Sequence, residues 1–242
     1  MGMEIALSGV SRRFGGRAAL SGIDAVFPAG RVSAVIGPNG SGKTTLLRIL
    51  ARLDKPDAGT VTYLKGGHPV ADGISLMRKM TLVAQQPVMF NTTLRENVAY
   101  GLNARGIPRE DVCERVDEAL AAGDMAGLAS ARAATLSGGE SQRAALVRAY
   151  ALMPDAVFLD EPTASMDPDN TALAERLIMR MCEEHGATVV MVTHNLFQAK
   201  RLAGHVFFMF GGELIEYGET GRIFGRPEKE LTSKYVSGEV VC

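Results

Sequence analysis

The chain has 242 residues, 46% of them hydrophobic and 22% charged, with 26 Lys plus Arg against 27 Asp plus Glu and a formal net charge of −1. This composition excludes a disordered chain and provides core enough for one to two domains. The near balance of charge argues against a nucleic-acid binder, whose footprint is a basic excess.

Residues 1–14 carry no apolar h-region, and the longest apolar runs, such as 206–210, fall far short of the roughly 20 residues that span a bilayer. Cys113, Cys182 and Cys242 form no C-x-x-C pair, so neither a disulfide framework nor a zinc site is indicated. The sequon Asn91-Thr92-Thr93 means nothing without a signal peptide. A cytosolic chain is expected, with any membrane role coming through a partner.

Taken in chain order, the first short β-branched run is Val32–Ile36, followed at once by a Gly-rich segment. A second run, 80–84, precedes Gln85. From about 93 to 151 there is no convincing strand, while Val112, Val116, Ala119 and Leu120 recur at helical spacing. That stretch is expected to be a helical subdomain inserted into the rest. A third run, 156–159, leads to Asp160-Glu161. Asp167-Pro168 predicts an N-cap and first helical position, with Leu173, Leu177, Ile178 and Met181 on one face and Gly186 as the stop. A fourth run, 188–193, ends at His194. Nearly continuous apolar strands alternating with helices predict an α/β core with a parallel sheet covered on both faces. The Gly-punctuated stretch 211–242 yields no assignment.

The strongest motif is Gly37-Pro38-Asn39-Gly40-Ser41-Gly42-Lys43-Thr44, a full G-x-x-x-x-G-K-[ST] after a strand and before a helix. Such a loop points successive backbone N–H groups inward around phosphate oxygens, and the following helix adds its positive end. Lys43 is expected to reach the β- and γ-phosphates and the Thr44 hydroxyl to ligate Mg²⁺. Asp160 stands at the C-terminal end of a buried strand, the edge where ligands of parallel sheets bind. It is suited to holding Mg²⁺, and Glu161 to polarising an attacking water; the alternative is a plain Asp-Glu-Pro surface turn. Ser137 and Glu140, in Leu136-Ser137-Gly138-Gly139-Glu140-Ser141-Gln142-Arg143, fit a capping box. Two glycines in a first helical turn cost stability, so the segment reads either as a helix start alone or as a second anion site. Gln85 read singly is a surface amide, and His194 a satisfied loop histidine. His68, His185 and His205 carry only that structural reading, and Met77, Met80, Met89 and the run 87–90 read as core packing.

Together these motifs resemble the nucleotide-binding subunit of an ATP-binding cassette (ABC) transporter. Residues 37–44 match its Walker A motif, 156–160 its Walker B and 136–140 its signature. Gln85 falls at the Q-loop position, Ser165-Met166-Asp167 at the D-loop and His194 at the switch. Phe14 stands where an aromatic ring stacks on adenine. Met166, Glu140 and Phe14 replace the commoner Leu, Gln and Tyr, and Gly204-His205 falls where Asp-Arg is frequent. None of these removes a group the chemistry requires.

The resemblance implies a P-loop NTPase (RecA-like) core with a mainly parallel sheet, an N-terminal antiparallel β part and an inserted α-helical subdomain. The whole of 1–242 would form one ATPase domain, with a core lobe of 1–86 and 152–242 and a helical subdomain of 87–151. It implies ATP and Mg²⁺ as cofactors. ATP would be bound by Phe14, Gly37, Pro38, Asn39, Gly40, Ser41, Gly42, Lys43, Thr44 and Thr45, and by Ser137, Gly138, Gly139, Glu140 and Asp167. Mg²⁺ would be held by Thr44, Gln85 and Asp160, with Glu161, His194, Lys43 and Gln85 as the catalytic groups. Two copies would sandwich ATP head to tail. Separate transmembrane permease chains would dock near 85–97, an extracytoplasmic solute-binding protein would act indirectly, and no nucleic acid is involved. The subunit would lie peripherally on the cytoplasmic face of a bacterial inner membrane. The run 85–101 and the tail around Thr232, Tyr235 and Gly238 are similar to tungstate and phosphate oxyanion importers, implying tungstate or a related oxyanion. Amino-acid importers share much of the pattern, and soluble ABC ATPases of translation or DNA maintenance form the other class.

Overall fold

The computed structural model describes residues 2–239, and Cys242 lies outside them. The chain opens with β1 (Glu4–Phe14), β2 (Arg17–Phe27), β3 (Val32–Ile36) and α1 (Lys43–Leu50). Next come β4 (Ala58–Lys65), β5 (His68–Pro69), α2 (Ile74–Met77) and β6 (Met80–Val83). Three helices follow, α3 (Leu94–Ala104), α4 (Arg109–Ala122) and α5 (Gly138–Ala151), with two single 3₁₀ turns before the last. The remainder is β7 (Ala156–Asp160), α6 (Pro168–Glu183), β8 (Thr188–Val192), α7 (Leu196–Leu202), β9 (His205–Phe210), β10 (Glu213–Glu219), α8 (Thr220–Gly225) and α9 (Glu230–Val236).

Two sheets result. The first is antiparallel, in the order β2-β1-β4-β5. The second, in the order β10-β9-β3-β8-β7-β6, is parallel except for the antiparallel edge strand β10. Because β3, β7 and β8 are buried at every position, they read in the sequence as nearly continuous apolar runs, interrupted only by Ser33, Asp160 and Thr188.

Side chains of the parallel sheet alternate between two cores. Ala34, Val157, Leu159, Val189, Met191 and Phe208 face α3, α4, α5 and α6. Val35, Phe158, Val190, Val192, Phe207 and Met209 face α1 and the antiparallel sheet. The period-2 geometry of a strand thus distributes one apolar run between two layers. Phe207 stacks on Phe27 of β2, with ring centroids 4.2 Å apart, which fixes one sheet on the other.

Several sequence expectations are corrected. Met80 is buried and Met89 is partly buried against the core, as expected, but Met77, Val88 and Phe90 are exposed, so only Met89 of the run 87–90 serves as core packing. The loop is held away from the interior by Asn97, which accepts from the Phe90 N–H at 2.9 Å and donates to the carbonyls of Phe90 and Thr93. The helix begun by Asp167 ends at Glu183, and Gly186 serves the turn into β8 with φ of +65°. The stretch after 211 forms β10, α8 and α9, anchored by the buried Glu216 carboxylate. That group accepts from Arg222 and from the N–H groups of Glu228 and Lys229. Gly204 contributes through its backbone, since its N–H donates to Val32 and its carbonyl accepts from Thr220, the first residue of α8.

Candidate functional site

The ends of four adjacent parallel strands converge. β3 runs into Gly37, β6 into Gln85, β7 ends on Asp160 and β8 leads to His194. A cavity of about 690 Å³ opens there, lined by Gly37, Pro38, Asn39, Gly40, Gly42, Lys43, Thr44, Thr45, Gln85, Asp160, Glu161 and His194. Five further lining residues were not singled out from the sequence as site residues: Ala19, Val192, Leu196, Tyr235 and Gly238. They come from β2, β8, α7 and the α9 end, which only the tertiary fold brings together.

The loop is shaped by what a Cβ would strike. At Gly37, with φ of +147°, an added Cβ would lie 2.1 Å from the Met209 carbonyl oxygen; at Gly42, with φ of +97°, it would lie 2.4 Å from that of Ala19. Strand β9 and the ribbon strand β2 therefore press the loop into its curl, and only glycine satisfies both approaches. Inside the curl, Lys43 Nζ donates to the carbonyls of Gly37 and Pro38, both at 2.8 Å. The Ser41 hydroxyl is buried with no hydrogen-bond partner among the described residues. A buried hydroxyl without a partner costs free energy until something accepts from it. An oxyanion entering the curl supplies that acceptor, so the loop fits a phosphate group.

Asp160 accepts from the Thr44 hydroxyl at 3.3 Å. Burial raises its carboxyl above the ordinary carboxylate range, against the opposing pull of that hydrogen bond and of Lys43. Burial likewise lowers the Lys43 ammonium, against the attraction of Glu161 and Asp160. Both charges are therefore incompletely compensated by the protein alone. A hard divalent cation beside Asp160 and Thr44, with a polyanion beside Lys43, supplies the missing counter-charges; the all-oxygen donor set fits Mg²⁺.

Glu161 has φ of +48°, a left-handed backbone that a non-glycine residue adopts at a cost of about 1–3 kcal/mol. Its N–H donates to Val192 in the neighbouring strand, and this pairing carries the chain across the cavity edge. The turned side chain meets His194, with Nδ1 2.8 Å from Glu161 Oε1. A proton on Nδ1 makes that bond and leaves Nε2 directed elsewhere. The His194 side chain is 64% exposed and the Glu161 side chain 13%, so the ring faces the opening while the carboxylate sits inside.

The remaining sequence-picked residues stand elsewhere. Ser137 caps α5, accepting from the Glu140 N–H, while the Glu140 carboxylate accepts from the Ser137 N–H at 2.8 Å; the capping box is complete. Ser137 and Gly138 are exposed, Gly139 and Glu140 half-buried, and none of the four lines the cavity. Asp167 caps α6 by accepting from the Asn170 N–H at 2.9 Å and is also outside it. Phe14 is 49% exposed, covered by the Arg12 guanidinium 4.7 Å from its centroid, and does not reach the cavity wall. Among the described residues no helix is long and apolar enough to cross a membrane.

Three comparisons bear on this arrangement. A family model described as ABC transporter matches residues 20–164. A phosphate import ATP-binding protein of Natronomonas pharaonis is 39% identical over 251 residues, spanning 98% of this chain and 87% of its own. A probable anion import ATP-binding protein of Haloferax volcanii is 36% identical, spanning 98% and 88%. Among solved structures, an ATP-binding cassette determined as a dimer in a post-hydrolysis state, bound to ADP and Pi, aligns with TM-score 0.79. It shares 28% identity and covers 89% of this chain and 98% of its own.

Proposed function

The chain belongs to the ABC transporter ATPase family, and on that premise we propose that it is the ATP-hydrolysing subunit of an importer for phosphate or a related oxyanion. The observation that carries the catalytic part is the single cavity gathering the phosphate loop, Gln85, Asp160, Glu161 and His194 at four strand ends. Lys43 and the loop N–H groups bind and neutralise the phosphates. Thr44 and Asp160, with Gln85 at the rim, hold Mg²⁺, which supplies further charge neutralisation when bound. Glu161 orients and deprotonates the attacking water, and His194 steadies Glu161 before turning to the terminal phosphate. Phosphoryl transfer needs little else than this positioning and charge stabilisation.

The signature segment lies outside the cavity with its helix N-terminus toward solvent. We assign it to the ATP of a second copy, as two copies pack head to tail; Asp167 and Phe14 belong to the same closing surface and to the adenine end. With it goes the proposed division into a core lobe of 1–86 and 152–242 and a helical subdomain of 87–151. A permease docks on the apolar surface that Val88, Phe90 and Tyr100 leave exposed, with Phe90 and Tyr100 packed at 4.4 Å. Such a patch marks a contact site. The subunit then sits peripherally on the cytoplasmic membrane face and meets a solute-binding protein only through the permease.

Phosphate leads because the relatives' names point to it; tungstate is the finer reading favoured by the run 85–101. ATP turnover of the complex with permease and binding protein tests both. Stimulation by phosphate or tungstate, and none by amino acids, is the expected result; stimulation by an amino acid alone would move the assignment to that class.

A further inference from the structure

Gln85 has no hydrogen bond of its own among the described residues, and neither has Gln86. Their place in space is set by what grips the chain on either side. On one side Gln142, buried to 3% exposure, donates from Nε2 to the Ala84 carbonyl at 3.3 Å. On the other, Arg148 donates from Nη1 to the Val88 carbonyl at 3.0 Å, with its guanidinium 6.0 Å from the Phe90 ring centroid. Arg148 has no carboxylate within salt-bridge distance among the described residues, so the carbonyl and the ring are what hold it.

Both grips belong to α5, the helix that Ser137 caps and Gly138 begins. Its two gripping residues are about 9 Å apart along the axis. Because α5 is one continuous helix of 14 residues, a displacement of its first turn is passed to the residues that hold the Ala84 and Val88 carbonyls. The four-residue span between those carbonyls carries Gln85 into the cavity.

We propose that Gln142 and Arg148 are positioning residues through which α5 sets where Gln85 stands in the nucleotide cavity. Whatever engages the signature end of α5 then acts on the cavity of the same chain through Gln85, in addition to completing the site of the partner copy. The inference rests on the reading of Gln85 as a nucleotide-site residue given above.

The test is ATP turnover by the full chain carrying Gln142→Met, Arg148→Met, Arg148→Lys and Gln85→Ala, singly and with each grip variant combined with Gln85→Ala. Losing either grip is expected to lower kcat roughly three- to tenfold with the KM for ATP within about twofold. Arg148→Lys, which keeps one donor for Val88, restores at least about half of that loss. In the Gln85→Ala background the grip variants cost less than about twofold more, because residues acting through one another are not additive. Multiplicative losses in that background, or a change confined to KM, would overturn the proposal. Wild-type turnover by Gln85→Ala would remove the reading beneath it and the proposal together. If Gln142→Met melts far below the parent chain, the half-buried Arg148 variants carry the same comparison.

Discussion

Glycines lie at the N-termini of both α1 and α5, and the two helix ends differ in how far the protein itself completes them. At α1 the loop is curled by β9 and β2, Lys43 is tied to two loop carbonyls, the Ser41 hydroxyl is buried without a partner, and Asp160 and Glu161 stand opposite. At α5 the capping box satisfies the helix end locally, and among the described residues Gly138 has nothing within 4 Å of an added Cβ. The first is a binding site finished by folding. The second is an exposed helix end outside the cavity, and under the proposed head-to-tail packing its ligand arrives on another molecule. Anion binding at helix termini is a common resource, and the proposed function uses it once inwardly and once outwardly.

The sharpest way to break this contrast is at Glu161. Glu161→Gln keeps the cavity's size and removes the base, so turnover is expected to fall by about 10²–10⁴-fold with ATP still bound, measured by phosphate release and by nucleotide retention. Lys43→Ala and Gly139→Asp separate the two helix ends. The lysine variant should lose ATP affinity in a single chain; the glycine variant should keep that affinity within about twofold and lose about 100-fold in turnover. Equal loss of affinity in both would erase the distinction drawn between them.

Smaller effects concern stability. Ser137→Ala removes one half of the capping box and should cost about 1 kcal/mol, lowering Tm by about 2–4 °C in a thermal melt. Asp160→Asn should do the opposite at neutral pH. Burial raises the folded Asp160 pKa, so the folded chain takes up a proton that the unfolded chain does not hold, and wild-type stability falls as pH climbs through that interval. The asparagine variant is therefore expected to melt higher than the wild type above the raised value. The gain should vanish below the ordinary carboxylate range, where both states of the wild type are protonated.

Much of the finished site was legible in the sequence, because the loop is contiguous and its acids end apolar strands. Residues 37–44 and Asp160 could be read as a pair since each follows a run buried on both faces. What grips the Gln85 segment could not be read. Asn97, Gln142 and Arg148 act through hydrogen bonds to carbonyls 7, 58 and 60 positions away, and a carbonyl leaves no mark on residue type. The ribbon of β1 and β2 was expected only by resemblance. Its register shifts at Leu7/Val10, Val10/Arg12 and Arg12/Arg13 break the alternation by which a half-buried strand is recognised. Val88 and Phe90 misled for a related reason: apolar type signals burial, and here both side chains are exposed.

The central claim is that the outward-facing helix end of one copy completes the inward-facing site of another. Sedimentation of the Glu161→Gln chain with ATP and Mg²⁺, with and without Gly139→Asp, tests it most directly. The account predicts a dimer holding ATP for the single variant and an ATP-bound monomer for the double variant. A monomer in both, or a dimer in both, would contradict it.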